Sequence, residues 1–211
     1  MLESFQSTLQ PLLTAAGLSW ASGLRLYATL AVAGLLQYFN VVQLPSALAI
    51  LGNPWVMAGT GGLAAVEFFM DKIPGLDSIW DSIHTFLRIP AGIALAAGSA
   101  SGLGDHWMLL AGLVGGGLAT STHIAKTGTR MMLNTSPEPF TNWGASFAED
   151  AAWLAMMGTW VYSWVNASPT TFAIVLIVAV GLTLWLMVTV IRLVRGLLRR
   201  VLGFGASPSP A

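Results

Sequence analysis

Two segments of the chain concentrate side chains capable of chemistry. The first, EFFMDKIPGLDSIWDSIHTFLR, runs from Glu67 to Arg88. Glu67 and Asp71 are four apart and share a helical face. Pro74-Gly75 then interrupts the helix. Beyond it Asp77, Asp81 and His84 fall at i, i+4 and i+7, one stripe of a second short helix whose other side carries Ile79, Trp80, Ile83 and Phe86. Two carboxylates and an imidazole, with Glu67 and Asp71 adjoining, suit a divalent cation such as Mg, Mn, Fe or Zn. Asp77, Asp81 and His84 are therefore the candidate metal ligands, and a divalent cation the one cofactor suggested. The plainer alternative is an amphipathic interfacial helix whose acids face water, with Asp77 as an N-terminal cap.

The second segment is HIAKTGTRMMLNTSPEPFTNWGASFAED, from His123 to Asp150. His123, Lys126 and Arg130 share one face. Ser136-Pro137-Glu138-Pro139 breaks the chain, and Asn142, Ser146, Glu149 and Trp153 then share a face with Asp150 beside them. Lys126 and Arg130 singly are explained by snorkelling at an inner membrane interface. Glu149 and Asp150, inside an apolar run, need partners. Arg25, in ASGLRLYATL, is expected to pair with one of the acids and so to organise the site. Arg25, Glu67, Asp71, His123, Lys126, Arg130, Asn142, Glu149 and Asp150 are the candidate substrate-binding residues of one polar chamber open to the cytoplasm.

The elements that must position these groups are membrane helices. Of 211 residues 55% are hydrophobic and only 9% charged, against roughly 25% charged in soluble domains. Nine basic and nine acidic residues cancel, which argues against a nucleic-acid partner. With no cysteine, disulfides, thiolate metal sites and cysteine nucleophiles are excluded. The start, MLESFQSTLQ, carries Glu3 where a signal peptide carries Lys or Arg, so the first apolar segment is expected to be retained.

The expected fold is an all-α polytopic transmembrane bundle, one domain over 1–202 with a disordered cytoplasmic tail at 203–211. About six spans are placed near 18–39, 46–69, 86–103, 107–125, 144–165 and 172–191, with two interrupted or re-entrant polar segments. The last is twenty residues without a charge, followed by Arg192, Arg195, Arg199 and Arg200, which mark a cytoplasmic end. An even number of spans puts the N-terminus inside too, and Lys72, Arg88, Lys126 and Arg130 then fall on inner connections. Gly112–Gly116 and Gly98–Gly102 are GxxxG packing matches. Trp107, Trp143, Trp160 and Trp164 are expected to anchor at interfaces. GGLA at 61–64 recurs at 116–119, and SGLR at 22–25 resembles TGTR at 127–130, hinting at an internal repeat.

FFMDKIPGLDSIWDSIHTFLRIPAG and KTGTRMMLNTSPEPFTNWGASFAED resemble the signature stretches of a bacterial membrane family with plastid relatives, catalogued as a domain of unknown function, number 4126. The resemblance implies a helical integral membrane protein, here of the bacterial inner membrane, and supplies no activity. The residues themselves point first to a transporter or channel for a small ion or solute, a divalent cation foremost, with the lipid bilayer as surroundings and a homo-oligomer allowed. A second reading has Arg25, Lys126 and Arg130 gripping the phosphate of an anionic lipid or polyprenyl phosphate. A third is a non-catalytic membrane scaffold. An intramembrane enzyme is the weakest reading, because HExxH and GxSxG are absent and no catalytic residue is assigned.

Overall fold

The computed structural model describes residues 2–135 and 139–201. The expected tail at 203–211 and the break at Ser136, Pro137 and Glu138 lie outside the described residues. All regular structure among the described residues is helical. The helices are α1 (Leu2–Leu24), α2 (Leu26–Tyr38), α3 (Pro54–Met70), α4 (Leu76–Ser99), α5 (Asp105–Leu133), α6 (Pro139–Val165) and α7 (Pro169–Val201), with short 3-10 turns at Ser46–Gly52 and Ser101–Leu103. Local chemistry sets several starts. Asn53 caps α3 by accepting from the N–H of Trp55 at 2.9 Å, with Pro54 in the first turn. Gly75 and Gly104, at φ +85° and +101°, precede α4 and α5 in a backbone region that side chains resist.

The expected first span is two helices. The chain bends back at Arg25, so α1 and α2 form a V. Far from its tip, Leu12 and Ala15 of α1 pack with Ala96, Ala100 and Leu103, while Gly34 of α2 lies against Leu51. Towards the tip, Ser19 Oγ donates to the Gly92 carbonyl at 2.8 Å and Lys126 Nζ to the Leu24 carbonyl at 3.2 Å. Since α5 continues to Leu133, the tip stops roughly 10 Å short of the end of α5 at 1.5 Å per residue. The small residues of α5 allow this depth. A Cβ on Gly115 would strike Ala96, and one on Gly23 would lie 2.7 Å from the Ala119 carbonyl oxygen. Of the two GxxxG matches, Gly112–Gly116 does seat α5 on Ile93 of α4, whereas Gly102 faces open space.

The bend changes the course of the chain. Thr14 of α1 accepts from Trp160 and Trp164 near the end of α6, and Trp20 Nε1 donates to Thr183 of α7. Thus α1 and α7 run the same way, towards the end where α3 and α5 finish. The start of α1 and the end of α7 therefore lie at opposite ends of the bundle, not at one end as an unbroken first span requires.

The polar segments also differ from expectation. Asp77, Asp81 and His84 stand on the same unbroken helix as the expected third span, and α5 carries His123, Lys126 and Arg130 without interruption. The first polar segment is thus the meeting of α3 and α4 at a turn, and the second is carried by α5 as far as Leu133 and by α6 from Pro139. Trp160 is core, fully buried on Thr14, and no interfacial anchor. The two GGLA copies have different surroundings, since Gly61 and Gly62 face open space while Gly116 packs on Ile93.

Polarity runs inside out. Arg25, Glu67, Asp71, Asp77, Asp81, Arg88, Lys126 and Arg130 are each at most 3% exposed, while Phe86, Leu109, Leu113, Ile177, Leu182 and Trp185 lie outside. Among the described residues α5 and α7 are long and apolar enough to cross a bilayer by themselves. Helix α2 is apolar but short, with 13 residues.

Candidate functional site

The V tip is where the charges meet. At the break Arg25 leaves helical geometry, at φ −136° and ψ 83°. The carbonyls of Gly23 and Leu24 turn onto cations. Arg88 Nη1 donates to both at 3.0 Å, and Lys126 Nζ also reaches Leu24. Arg88 Nη2 in turn holds Glu67 at 2.7 Å and Asp81 at 3.0 Å. Lys126 Nζ bridges Asp71 at 2.7 Å and Asp81 at 3.3 Å. Arg25 spans Asp71 at 2.8 Å and Asp150 at 2.5 Å.

The outer part is built from α5, α6 and the start of α4. Arg130 grips Glu149 bidentately, Nε at 3.0 Å and Nη2 at 2.8 Å, the strongest geometry for a guanidinium and a carboxylate. Its Nη1 donates to the Asp71 carbonyl at 2.9 Å and to the side-chain oxygen of Asn142. Asp77 lies 3.7 Å from Arg130 in the first turn of α4, its Oδ1 accepting from the N–H of Gly75 and Ser78 and from Asn134 Nδ2. Lys72, in the turn between α3 and α4, reaches Asp150 at 3.2 Å.

These pairs join into one network of six carboxylates (Glu67, Asp71, Asp77, Asp81, Glu149, Asp150) and five cations (Arg25, Lys72, Arg88, Lys126, Arg130). Acids outnumber bases by one. Asp81 Oδ2, Glu67 Oε2 and Asp71 Oδ1 are buried without a hydrogen-bond partner. The eight members that are at most 3% exposed balance, four acids against four bases, and the excess acid lies among the half-buried Glu149, Asp150 and Lys72.

Two cavities flank the network. One of about 500 Å³ lies between α1, α5, α6 and α7, with Lys126 and Glu149 at its polar end and Trp20, Val178 and Leu182 on its walls. The other, about 380 Å³, is lined by Arg25, Phe68, Phe147, Asp150 and Trp153. Consecutive residues of α6 thus serve opposite cavities, Glu149 the first and Asp150 the second.

The family model for the domain of unknown function DUF4126 matches residues 12–192. The chain belongs to this family. The matched DUF4126 region contains every member of the network and both cavities. Neither a curated protein nor a solved structure matches the chain.

Of the substrate-binding residues expected from the sequence, this DUF4126 chain brings Arg25, Glu67, Asp71, Lys126, Arg130, Glu149 and Asp150 into the ion-pair network, with Asn142 bonded to Arg130. His123 stands at its edge, Nε2 sharing a 2.6 Å hydrogen bond with Thr85 Oγ1 and Nδ1 unpartnered. The expected metal set does not assemble. Asp77 is turned towards Arg130 and Asn134, Asp81 faces Arg88 and Lys126, and His84 stacks on Trp80 at 3.9 Å between ring centres while bonding its carbonyl. Among the described residues no group of three His, Asp or Glu side chains is placed to hold a metal ion. The physical reason is competition, because internal cations already occupy the carboxylate faces.

Sequence reasoning missed Arg88 and Lys72 as members of the site. Arg88 continues the Asp77-Asp81-His84 stripe by one more turn, a signal open to spacing alone. Lys72 offers only its place beside Asp71 and the Pro-Gly turn.

Proposed function

We propose that this DUF4126 chain is a multi-pass membrane transporter for a small solute, with the ion-pair network as its charge-exchange core. The observation that carries the reading is the odd charge count, six acids against five cations joined in one network around the tip of a broken helix. Such a core rests with one extra positive charge, a proton or a bound cation, and its gain and loss couple binding at the core to movement of the helices. Carbonyls of an interrupted helix turned onto the charged site are a recurring feature of carriers.

The inside-out polarity supports embedding of the whole bundle in a bilayer, with neighbouring helices sheltering those too charged to cross alone. The Arg192, Arg195 and Arg199 end of α7 is then cytoplasmic, on the same side as the network, and the start of α1 faces outward. A bacterial inner membrane fits this arrangement. The internal pairing of all six network carboxylates favours a monovalent exchange over a divalent cation held by Asp77, Asp81 and His84. A lipid phosphate would have to displace carboxylates from Arg25, Lys126 and Arg130.

The test is flux through purified protein in liposomes under an imposed pH gradient and potential, with H⁺, Na⁺, Mg²⁺, Mn²⁺ and tetraethylammonium offered in turn. Movement of at least one of these, lost in Asp81→Asn and Glu67→Gln, supports the reading. Liposomes as tight as empty ones, with those variants changing only melting temperature, leave a structural ion-pair scaffold and end the carrier proposal.

A further inference from the structure

Two aromatic residues of the second cavity's wall already hold an ammonium group of the protein's own. Lys72 Nζ sits 3.2 Å from the centre of the Phe68 ring and 4.9 Å from that of Phe147. It also lies 3.2 Å from Asp150 Oδ2 and 3.3 Å from Ser146 Oγ. Two ring faces, a carboxylate and a hydroxyl around one nitrogen are the elements of an aromatic cage for ammonium groups. Phe68, Phe147 and Asp150 also line the cavity of about 380 Å³, whose other walls include Trp153, Leu154 and Ala64. The cage therefore opens directly onto an apolar space suited to the body of an organic cation.

Lys72 itself is not fixed on a helix. It stands between α3, which ends at Met70, and α4, which begins at Leu76, on a turn that contains Pro74 and the positive-φ Gly75. Its side chain is a flexible four-carbon tether carrying a compact charge. Withdrawing it removes one of the five cations that face six acids, so an incoming monocation restores the charge balance that Lys72 maintained. A neutral or anionic ligand does not.

We infer that the Phe68–Phe147–Asp150 cage is a binding site for a small organic ammonium ion, with Lys72 as a tethered internal competitor that vacates the cage when the ligand enters. The inference rests on the transporter reading for its purpose and names the substrate class. The binding itself is measurable without flux.

The experiment titrates tetraethylammonium into the full-length purified protein in detergent, by calorimetry and by quenching of tryptophan emission. Lys72→Met is expected to bind about tenfold more tightly than the wild type, through loss of the competitor and of one positive charge. Phe147→Leu keeps the bulk and removes a ring face, and in the Lys72→Met background it is expected to weaken binding about fivefold. Asp150→Asn is expected to weaken it at least tenfold. Because Asp150 also holds Arg25, Phe147→Leu provides the arm that touches no ion pair. Trp153→Phe should abolish the quenching while leaving calorimetric binding, which places the ligand in this cavity. Lys72→Met binding no tighter than the wild type, or Phe147→Leu leaving the affinity unchanged, overturns the inference. Caged binding with no flux of any cation leaves the inference standing and removes the transporter reading. Flux of protons or metal ions without tetraethylammonium binding does the reverse.

Discussion

Arg88 is the residue on which the inner half of the network turns, and its removal has a calculable cost. Arg88→Met keeps a long apolar stem and deletes the guanidinium. Asp81 retains Lys126 at 3.3 Å, but Glu67 loses its one ion-pair partner, and the Gly23 and Leu24 carbonyls lose their Arg88 donor. Breaking a buried pair from one side costs about 3–5 kcal/mol. The carbonyl losses belong to the same event, so they push the cost towards the upper end and are not added to it. For a chain of this size about 2–4 °C of melting temperature accompanies each kcal/mol, so a fall of roughly 6–20 °C is expected. The assay is thermal unfolding in one detergent at fixed lipid content, with Arg195→Met on exposed α7 as a control expected to shift little. The decisive sample is Arg88→Met with Glu67→Gln, which removes the stranded charge. It should recover at least about 2 kcal/mol relative to the sum of the single changes. Additive effects, or an Arg88→Met shift no larger than that of Arg195→Met, would refute the account of Arg88 as the cation that holds Glu67 inside the bundle.

Other outcomes follow from packing and course. Gly23→Ala brings a methyl 2.7 Å from the Ala119 carbonyl oxygen and from Thr122 Cβ and should cost about 1–3 kcal/mol, read as a lower melting temperature, whereas Gly117→Ala, facing open space, should be neutral or slightly stabilising. Trp160→Phe removes the hydrogen bond to Thr14 and should cost about 1 kcal/mol in the same assay. The native chain has no cysteine, so single cysteines report topology cleanly. Asn40→Cys and Asp105→Cys should react with a membrane-impermeant maleimide added outside cells, and Thr135→Cys should react only after permeabilisation. Equal labelling of all three from outside would refute the assignment of the α5–α6 connection to the cytoplasmic side.

Much of the site was legible because helical spacing is local. Glu67 with Asp71, the Asp77-Asp81-His84 stripe and Lys126 with Arg130 each lie on one face, and each face does turn inward. What spacing cannot supply is the partner. A stripe of acids reads alike whether it waits for a metal or meets Arg88 of its own helix and Lys126 of α5, so pairing in three dimensions, which spacing does not carry, decides what its carboxylates face. Positive-inside reasoning assigned Lys72 and Arg88 to orientation, although both are consumed inside the bundle. The bend at Arg25 left no local mark, because ASGLRLYATL contains no proline and suits a helix throughout. Its cause lies in the cations of α4 and α5, which claim the Gly23 and Leu24 carbonyls, and in the glycines that admit α1 so deeply. That one unrecognised bend also sets the start of α1 at the end of the bundle opposite the end of α7.

The neighbours Glu149 and Asp150 have a mechanical corollary. Successive positions on a helix point about 100° apart, and here one is fastened to Arg130 and the other to Arg25 and Lys72. Rolling α6 about its own axis therefore displaces both attachments at once, and with them one wall of each recess.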